Sequence, residues 1–309
     1  MKKVSVVTAC FNEEGNIGEL YSRVKKAFAG IPGYSYEHIF IDNASRDNTV
    51  KILKDIAAND KNVKVIVNLR NFGAERSGRH ALLNASGDAV IGMVADLQDP
   101  PELIGEFIKK WEEGYKIVVG IKVRSEGNRF FYFLRKFYYK LLNKLSHTEQ
   151  IVNFCGFGLY DREFVEIIRK LNDPYPYLRG LITEVGFPRA EIKYTQPKRK
   201  RGRSSYNLYS LYETAVLGFT SYSMVPLRLS VFIGFLVAII SLGVALFYFI
   251  LKLLFWNSMQ MGTAPIIIGI FFFSAVQLFF IGILGEYVGA IYTQVKNRPL
   301  VFEKERINF

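Results

Sequence analysis

A short apolar run, 89–94, leads into Asp96, Gln98 and Asp99, and Pro100 and Pro101 follow at once. Carboxylate and amide oxygens are hard ligands. At the end of a buried strand they suit Mg²⁺ or Mn²⁺ held jointly with the phosphates of a substrate. The same residue types also build turns and helix starts. Asp99 and Glu102 fit that capping work. Asp96 precedes the turn and, with Gln98, is the stronger ligand candidate. A second acid, Asp42, ends the run 38–41 and is followed by Asn43. It is placed to hydrogen-bond a base or a ribose. Asp47, before a helical pattern, reads as an N-cap. A third polar cluster, CFNEEGN, closes the first apolar run.

The elements that must carry these residues alternate in type. Short β-rich runs cover 4–9, 38–41, 63–67, 89–94 and 116–120, with helical patterns at 17–28, 48–58, 75–85 and 102–113. This alternation predicts a mainly parallel sheet with helices on both faces, because parallel crossovers need a helix and bury both sides of each strand. Ligands of such sheets sit at the carboxyl ends of the strands. The three polar clusters fall at three such ends.

The second half of the chain is different. Residues 229–251 carry no charge, and 264–285 form a second apolar stretch. Each is long enough to cross a hydrocarbon core as a helix. Buried core helices are the alternative, but globular helices of that length carry a polar face. The connector 257–262 is uncharged, whereas Lys198, Arg199, Lys200, Arg201, Arg203 and Arg228 precede the first stretch and Lys296, Arg298, Lys304 and Arg306 follow the second. The positive-inside bias predicts a multi-pass protein of the plasma (inner) membrane with both termini and the whole N-terminal part cytoplasmic. Residues 129–146 and 206–227 read as amphipathic segments lying at the lipid surface. The net charge of +12 then points to an anionic membrane surface or a phosphate substrate rather than to nucleic acid. Cys10 and Cys155 form no disulfide framework. The segment GFGLYD, at 156–161, lacks the third glycine of a dinucleotide fingerprint. There is no Walker A sequence, no nucleophile elbow and no zinc spacing among His38, His80 and His147.

Taken in order, the motifs resemble one family. FNEEGNI is similar to Y-N-E-E-x-N-I, DNASRDNT to D-D-G-S-x-D-x-T, RNFGAERSG to R-N-F-G-x-x-x-A, and ADLQDPPELI to D-A-D-L-Q-D-P-P-E. RGRSSYN resembles R-x-G-x-S-K-Y, and VPLRLS resembles the P-L-R before the first span. The chain thus resembles the polyisoprenyl-phosphate glycosyltransferases of glycosyltransferase family 2, the relatives of dolichol-phosphate mannose synthase, and within them the bactoprenyl glucosyltransferases with two C-terminal spans. It departs from the pattern at Val94, Asn43 and Ala44, where the family has Asp, Asp and Gly.

The resemblance implies a GT-A nucleotide-binding domain at 1–205, a juxtamembrane amphipathic helix at 206–227, two transmembrane helices within 228–292 and a cytoplasmic tail at 293–309. By motif, Phe11, Asn12, Glu13, Asp42, Asn43, Arg201 and Ser204 would bind the nucleotide sugar. Asp96 and Gln98 would hold Mg²⁺ or Mn²⁺, Asp96 and Asp99 would be the catalytic acids, and Arg124, Arg129 and Arg135 would meet the acceptor phosphate. The activity implied is inverting transfer of a sugar, glucose from UDP-glucose, to the phosphate of a polyprenyl phosphate such as undecaprenyl phosphate, for modification of cell-envelope glycans. The membrane helices also leave room for a homo-oligomer. A processive synthase would need more spans and a Q-x-x-R-W signature. A membrane scaffold or a flippase subunit would need no acid-lined strand ends.

Overall fold

A computed structural model describes residues 1–124, 151–171, 177–197, 199, 201, 223–255, 263–296 and 298–309. The first half follows the predicted alternation. Strand β1 (Lys2–Cys10) is followed by α1 (Ile17–Ala29), β2 (Tyr34–Asp42), α2 (Thr49–Asn59), β3 (Val63–Asn68), α3 (Ala74–Asn84) and β4 (Ala89–Val94). A 3₁₀ turn (Pro101–Leu103) then leads into α4 (Ile104–Glu112) and β5 (Ile117–Arg124). Helix α1 buries Ile17, Leu20, Val24 and Phe28, and α4 buries Ile104, Phe107, Ile108 and Trp111. These spacings of three and four put one apolar stripe against the sheet.

Strand β6 (Gly158–Asp161), α5 (Arg162–Leu171), α6 (Leu178–Val185) and β7 (Arg189–Thr195) complete the globular part. The sheet runs β7-β5-β6-β4-β1-β2-β3-β8, with β8 at Glu303–Ile307. The pairs β1/β2, β1/β4, β2/β3 and β5/β7 are parallel, while β6 and β8 run antiparallel to their neighbours. Two cores result. One packs beneath α1, α2 and α4, and the other beneath α3, α5 and α6. GFGLYD is therefore core rather than a phosphate loop. Strand β6 wedges between β4 and β5, and a Cβ on Gly158 would run into the Val118 carbonyl.

Helices α7 (Val225–Leu254) and α8 (Thr263–Lys296) contain the two apolar stretches and outrun them at both ends. At 30 residues, α7 is about 45 Å long at the α-helical rise. Both helices are long and apolar enough to cross a membrane, and their apolar windows are not buried in the protein. That outcome disfavours the buried-core alternative. The segment 293–309, expected as a cytoplasmic tail, carries a strand of the sheet. Strand β8 returns to the sheet and pairs with β3, Glu303 lying opposite Asn68 at the carboxyl end of that strand. Val301 is buried and Phe302 rests on Phe72. Helix α8 thus re-enters the domain at the carboxyl edge of the sheet. The expected helix at 129–146 and most of the one at 206–227 lie outside the described residues.

Candidate active site

The loops after β1 and β2 are laced together. Asn12 N donates to Ser45 Oγ (2.8 Å), and Arg46 N donates to Asn12 Oδ1 (2.8 Å). Glu13 N donates to Thr49 Oγ1 (2.9 Å) and Asn43 N to the Cys10 carbonyl (2.9 Å). Asn48, not Asp47 as expected, is the N-cap of α2; Asp47 Oδ1 receives Thr49 N (3.0 Å) just before the helix, while Oδ2 receives Glu14 N (3.2 Å). Asn12 and Ala44 hold positive φ values of 55° and 61°, as does Leu97 (62°) after β4. Non-glycine residues rarely adopt this conformation, and it concentrates where surroundings over-determine the backbone.

Asp42 closes the floor between these loops. It is fully buried and receives Ser45 N (2.9 Å) and the Ser45 hydroxyl. Burial pushes its carboxyl above the usual range, against the hydrogen bonds of Ser45 and Ala44. Asn43 serves a different purpose. Its Oδ1 receives Asn68 Nδ2 (3.0 Å) and the Ser77 hydroxyl, and its Nδ2 donates to the Gly73 carbonyl (3.5 Å). Both ends of the amide are engaged in tying β2 to β3 and α3.

After β4, Asp96 and Asp99 separate. Asp96 is half-buried, and its Oδ1 receives Gln98 N (3.1 Å). Gln98 reaches the Pro197 carbonyl through Nε2 (3.4 Å). Asp99 is fully buried. Its Oδ2 receives Val94 N (3.1 Å) and its Oδ1 receives the Tyr194 hydroxyl (3.0 Å) from β7. Asp99 and Glu102 do not cap the following helix as expected. Pro101 opens the 3₁₀ turn and has no N–H to offer, Asp99 turns back to β4 and β7, and Glu102 forms a two-pronged pair with Arg23. Burial raises the Asp99 carboxyl to about 6, with Lys122, Val94 and Tyr194 opposing the shift. Beside it a cavity of about 150 Å³ opens on the second face of the sheet, lined by Val7, Ala9, Val94, Cys155, Leu178 and Leu181 among others. A second depression, bounded by Tyr21, Ile52 and Asp55, lies away from the strand ends.

The residue that joins the first and fourth strand ends is Arg199. Its Nη2 lies 2.9 Å from Glu13 Oε1 and 3.5 Å from Asp96 Oδ2. Burial pushes the Glu13 carboxyl up. Asn16 and Arg199 pull it down, and the Asp96 charge raises it again. Arg201 donates to the Gly15 carbonyl on the same loop. Phe11 stands half-buried at the start of that loop. Arg124 ends β5 on the same carboxyl edge. Arg129, Arg135 and Ser204 lie outside the described residues. The structure therefore gathers Phe11, Asn12, Glu13, Asp96, Gln98 and Arg201 at one rim, sets Asp42 buried beneath the loops, and ties Asn43 and Asp99 into the scaffold. Arg199 and Tyr194 were not singled out by the sequence. The basic run 198–203 has no spacing that selects one arginine. The signal for Tyr194 was available as strict alternation in 189–195, where Ala190, Ile192 and Tyr194 face inward.

Divalent-metal chemistry fits this donor set in one form only. Among the described residues no three His, Cys, Asp or Glu side chains converge. One carboxylate with an amide oxygen suits an ion that brings most of its ligands with it, as Mg²⁺ does with substrate phosphates.

The comparisons with known proteins agree with the motifs. The family profile Glycosyl transferase family 2 matches residues 5–168. The SfII prophage-derived bactoprenol glucosyl transferase of Shigella flexneri is 38% identical over 298 residues, 96% of each chain. An uncharacterized glycosyltransferase of Synechocystis sp. is 33% identical over 299 residues, 96% of this chain and 93% of the relative. A solved glucosyl-3-phosphoglycerate synthase from Mycobacterium tuberculosis, in complex with UDP, has a TM-score of 0.46 at 19% identity and covers 71% of this chain and 78% of its own. With its motifs at the carboxyl ends of a mostly parallel, GT-A-like sheet, the chain belongs to glycosyltransferase family 2.

Proposed function

We propose that this protein transfers glucose from UDP-glucose, with inversion, to the phosphate of a polyprenyl phosphate at the cytoplasmic face of the plasma membrane. The observation that carries the reading is the bridging of Glu13 and Asp96 by Arg199 at one rim, with Asp42 buried beneath the neighbouring loops, on the sheet edge where α8 re-enters the domain. The relatives named bactoprenol glucosyl transferase support the acceptor class. Helices α7 and α8 then span the bilayer as a hairpin. Strand β8 favours this topology, because a chain that ends in the same sheet must return to the side it left.

The reaction needs few proton transfers. The nucleophile is a phosphate oxygen, already ionised near neutral pH because its second pKa is about 6. It attacks the anomeric carbon of glucose, the bond from that carbon to the UDP oxygen breaks, and the electron pair leaves on UDP. No side chain has to abstract a proton. Asp42 and the Asn12 loop hold the nucleoside, and Arg199 and Arg201 face the diphosphate. Asp96 and Gln98 are the residues that would hold Mg²⁺ or Mn²⁺, whose charge would stabilise the leaving diphosphate. Asp99 positions the turn from which Asp96 projects.

Membranes carrying the protein, incubated with a panel of labelled nucleotide sugars, should yield lipid-extractable product with UDP-glucose. Asp96→Ala should lower that yield on the order of a hundredfold or more while membrane insertion persists. Normal turnover in the variant would remove Asp96 from the site, and label from a different sugar alone would reassign the donor. UDP binding by the purified protein separates the enzyme from a scaffold or flippase subunit.

A further inference from the structure

Arg199 occupies a peculiar position. It sits between Glu13 and Asp96, whose side chains are 10% and 15% exposed, and it is itself 24% exposed. Two acids so close in a half-dry rim repel each other, and a cation between them relieves that repulsion. Its bonds are unequal, with a direct contact to Glu13 and a longer one to Asp96. Its Nε is buried and has no hydrogen-bond partner among the described residues. A buried guanidinium donor without a partner is costly, so this placement is satisfied only in part. The segment around it is held at its flanks, through the Pro197 carbonyl to Gln98 and through Arg201 to Gly15. The protein supplies no third acid there among the described residues.

We infer that Arg199 is a resident counter-cation that keeps a divalent ion off Asp96 until a nucleoside diphosphate arrives. The inference rests on the reading of Asp96 as a metal ligand. A diphosphate changes the balance in two ways. Its oxygens offer the Arg199 guanidinium stronger, two-pronged acceptors, including one for Nε. It also brings the additional oxygen ligands that a lone carboxylate and amide lack. Arg199 then leaves Asp96, and the carboxylate becomes available. Cation and diphosphate must therefore bind cooperatively, each tightening the other by the same factor. A cation alone meets an occupied carboxylate.

The test is Mn²⁺ binding by the full-length protein in detergent. Unbound Mn²⁺ is read by electron paramagnetic resonance, with and without UDP. Wild-type protein should bind Mn²⁺ at least about tenfold more tightly with UDP than without, within the usual range of site coupling. Arg199→Gln should bind Mn²⁺ alone about tenfold more tightly than wild type, so that UDP adds less. Arg199→Lys keeps the charge and should stay near wild type. If Arg199→Gln binds Mn²⁺ alone no better than wild type, or if Arg199→Lys tightens as much as Gln, the counter-cation role is overturned. If wild type with UDP binds no Mn²⁺, or Asp96→Ala binds it as wild type does, the metal assignment of Asp96 fails instead.

Discussion

Buried acids stand at both ends of the central strands, and the protein treats them in opposite ways. Toward the amino ends, Glu37 on β2 is almost fully buried and saturated. It pairs with Lys3 and Lys64, each at 2.8 Å, and receives Ser5 Oγ (2.6 Å) and Ser86 N (2.7 Å). Burial pushes its carboxyl up, but these partners outweigh burial and hold it down at about 2. At the carboxyl ends, Glu13 and Asp96 share one arginine, three non-glycine residues sit at positive φ, and the Glu13 carboxyl is pushed up. A saturated acid fastens strands. An under-compensated one keeps binding capacity for something absent from the chain itself.

The contrast breaks most visibly at Glu37. Glu37→Gln removes the shared charge and leaves Lys3 and Lys64 facing each other in a partly buried site. Loss of one member of a buried charge cluster destabilises by about 3–5 kcal/mol. Chemical denaturation of the purified protein should show a loss of that order, while UDP affinity of the folded fraction stays unchanged. A loss below about 1 kcal/mol would mean that the amino-end cluster behaves as a surface pair and that the contrast is false.

Midway along β2 lies a third regime. His38 is fully buried, stacks on Phe40 and shares a hydrogen bond with Thr8 Oγ1 (3.0 Å). Burial lowers its pKa from 6.5 to about 3. Between those values the unfolded chain takes up a proton that the folded chain refuses. Stability therefore falls as pH drops from about 6.5 toward about 3, by up to about 1.4 kcal/mol per pH unit. Glu37 stays ionised through most of that window. His38→Gln should flatten the slope in denaturation profiles between pH 6 and pH 4. An unchanged slope would show that carboxylates held down in the folded protein, Glu37 among them, set the acid limit instead of His38.

How much of this was legible in the sequence follows the same division. Strands β1 to β5 and helices α1 to α4 were legible because their apolar periodicity is local. The site was legible where a polar cluster directly followed a buried run, as at Asp42 and Asp96. What escaped depends on distant pairing. Strand β6 is only four residues long and β8 is charged at four of its five positions, so neither stands out as an apolar run in the sequence, and each is a strand only because β4, β5 or β3 offers it an edge. Asp99 and Asn43 looked like site residues because a sequence does not reveal that Tyr194 and Ser77 arrive beside them. Arg199 was hidden among chemically equal neighbours.

The finest test of the contrast is the mirror substitution, Glu13→Gln. Removing this carboxylate ends the 2.9 Å pair with Arg199, but it also ends the repulsion from Asp96 and the burial of a charge. Arg199 keeps Asp96 as its partner at 3.5 Å, and the amide can still accept from Asn16 Nδ2. Gain and loss nearly offset, so stability should change by less than about 1 kcal/mol, far less than for Glu37→Gln. Function should respond instead. With one acid left, Arg199 moves its full charge toward Asp96, and Mn²⁺ should bind more weakly even with UDP present. A large loss of stability in Glu13→Gln would make Glu13 a fastening acid like Glu37, and the two ends of the sheet would then differ in degree only.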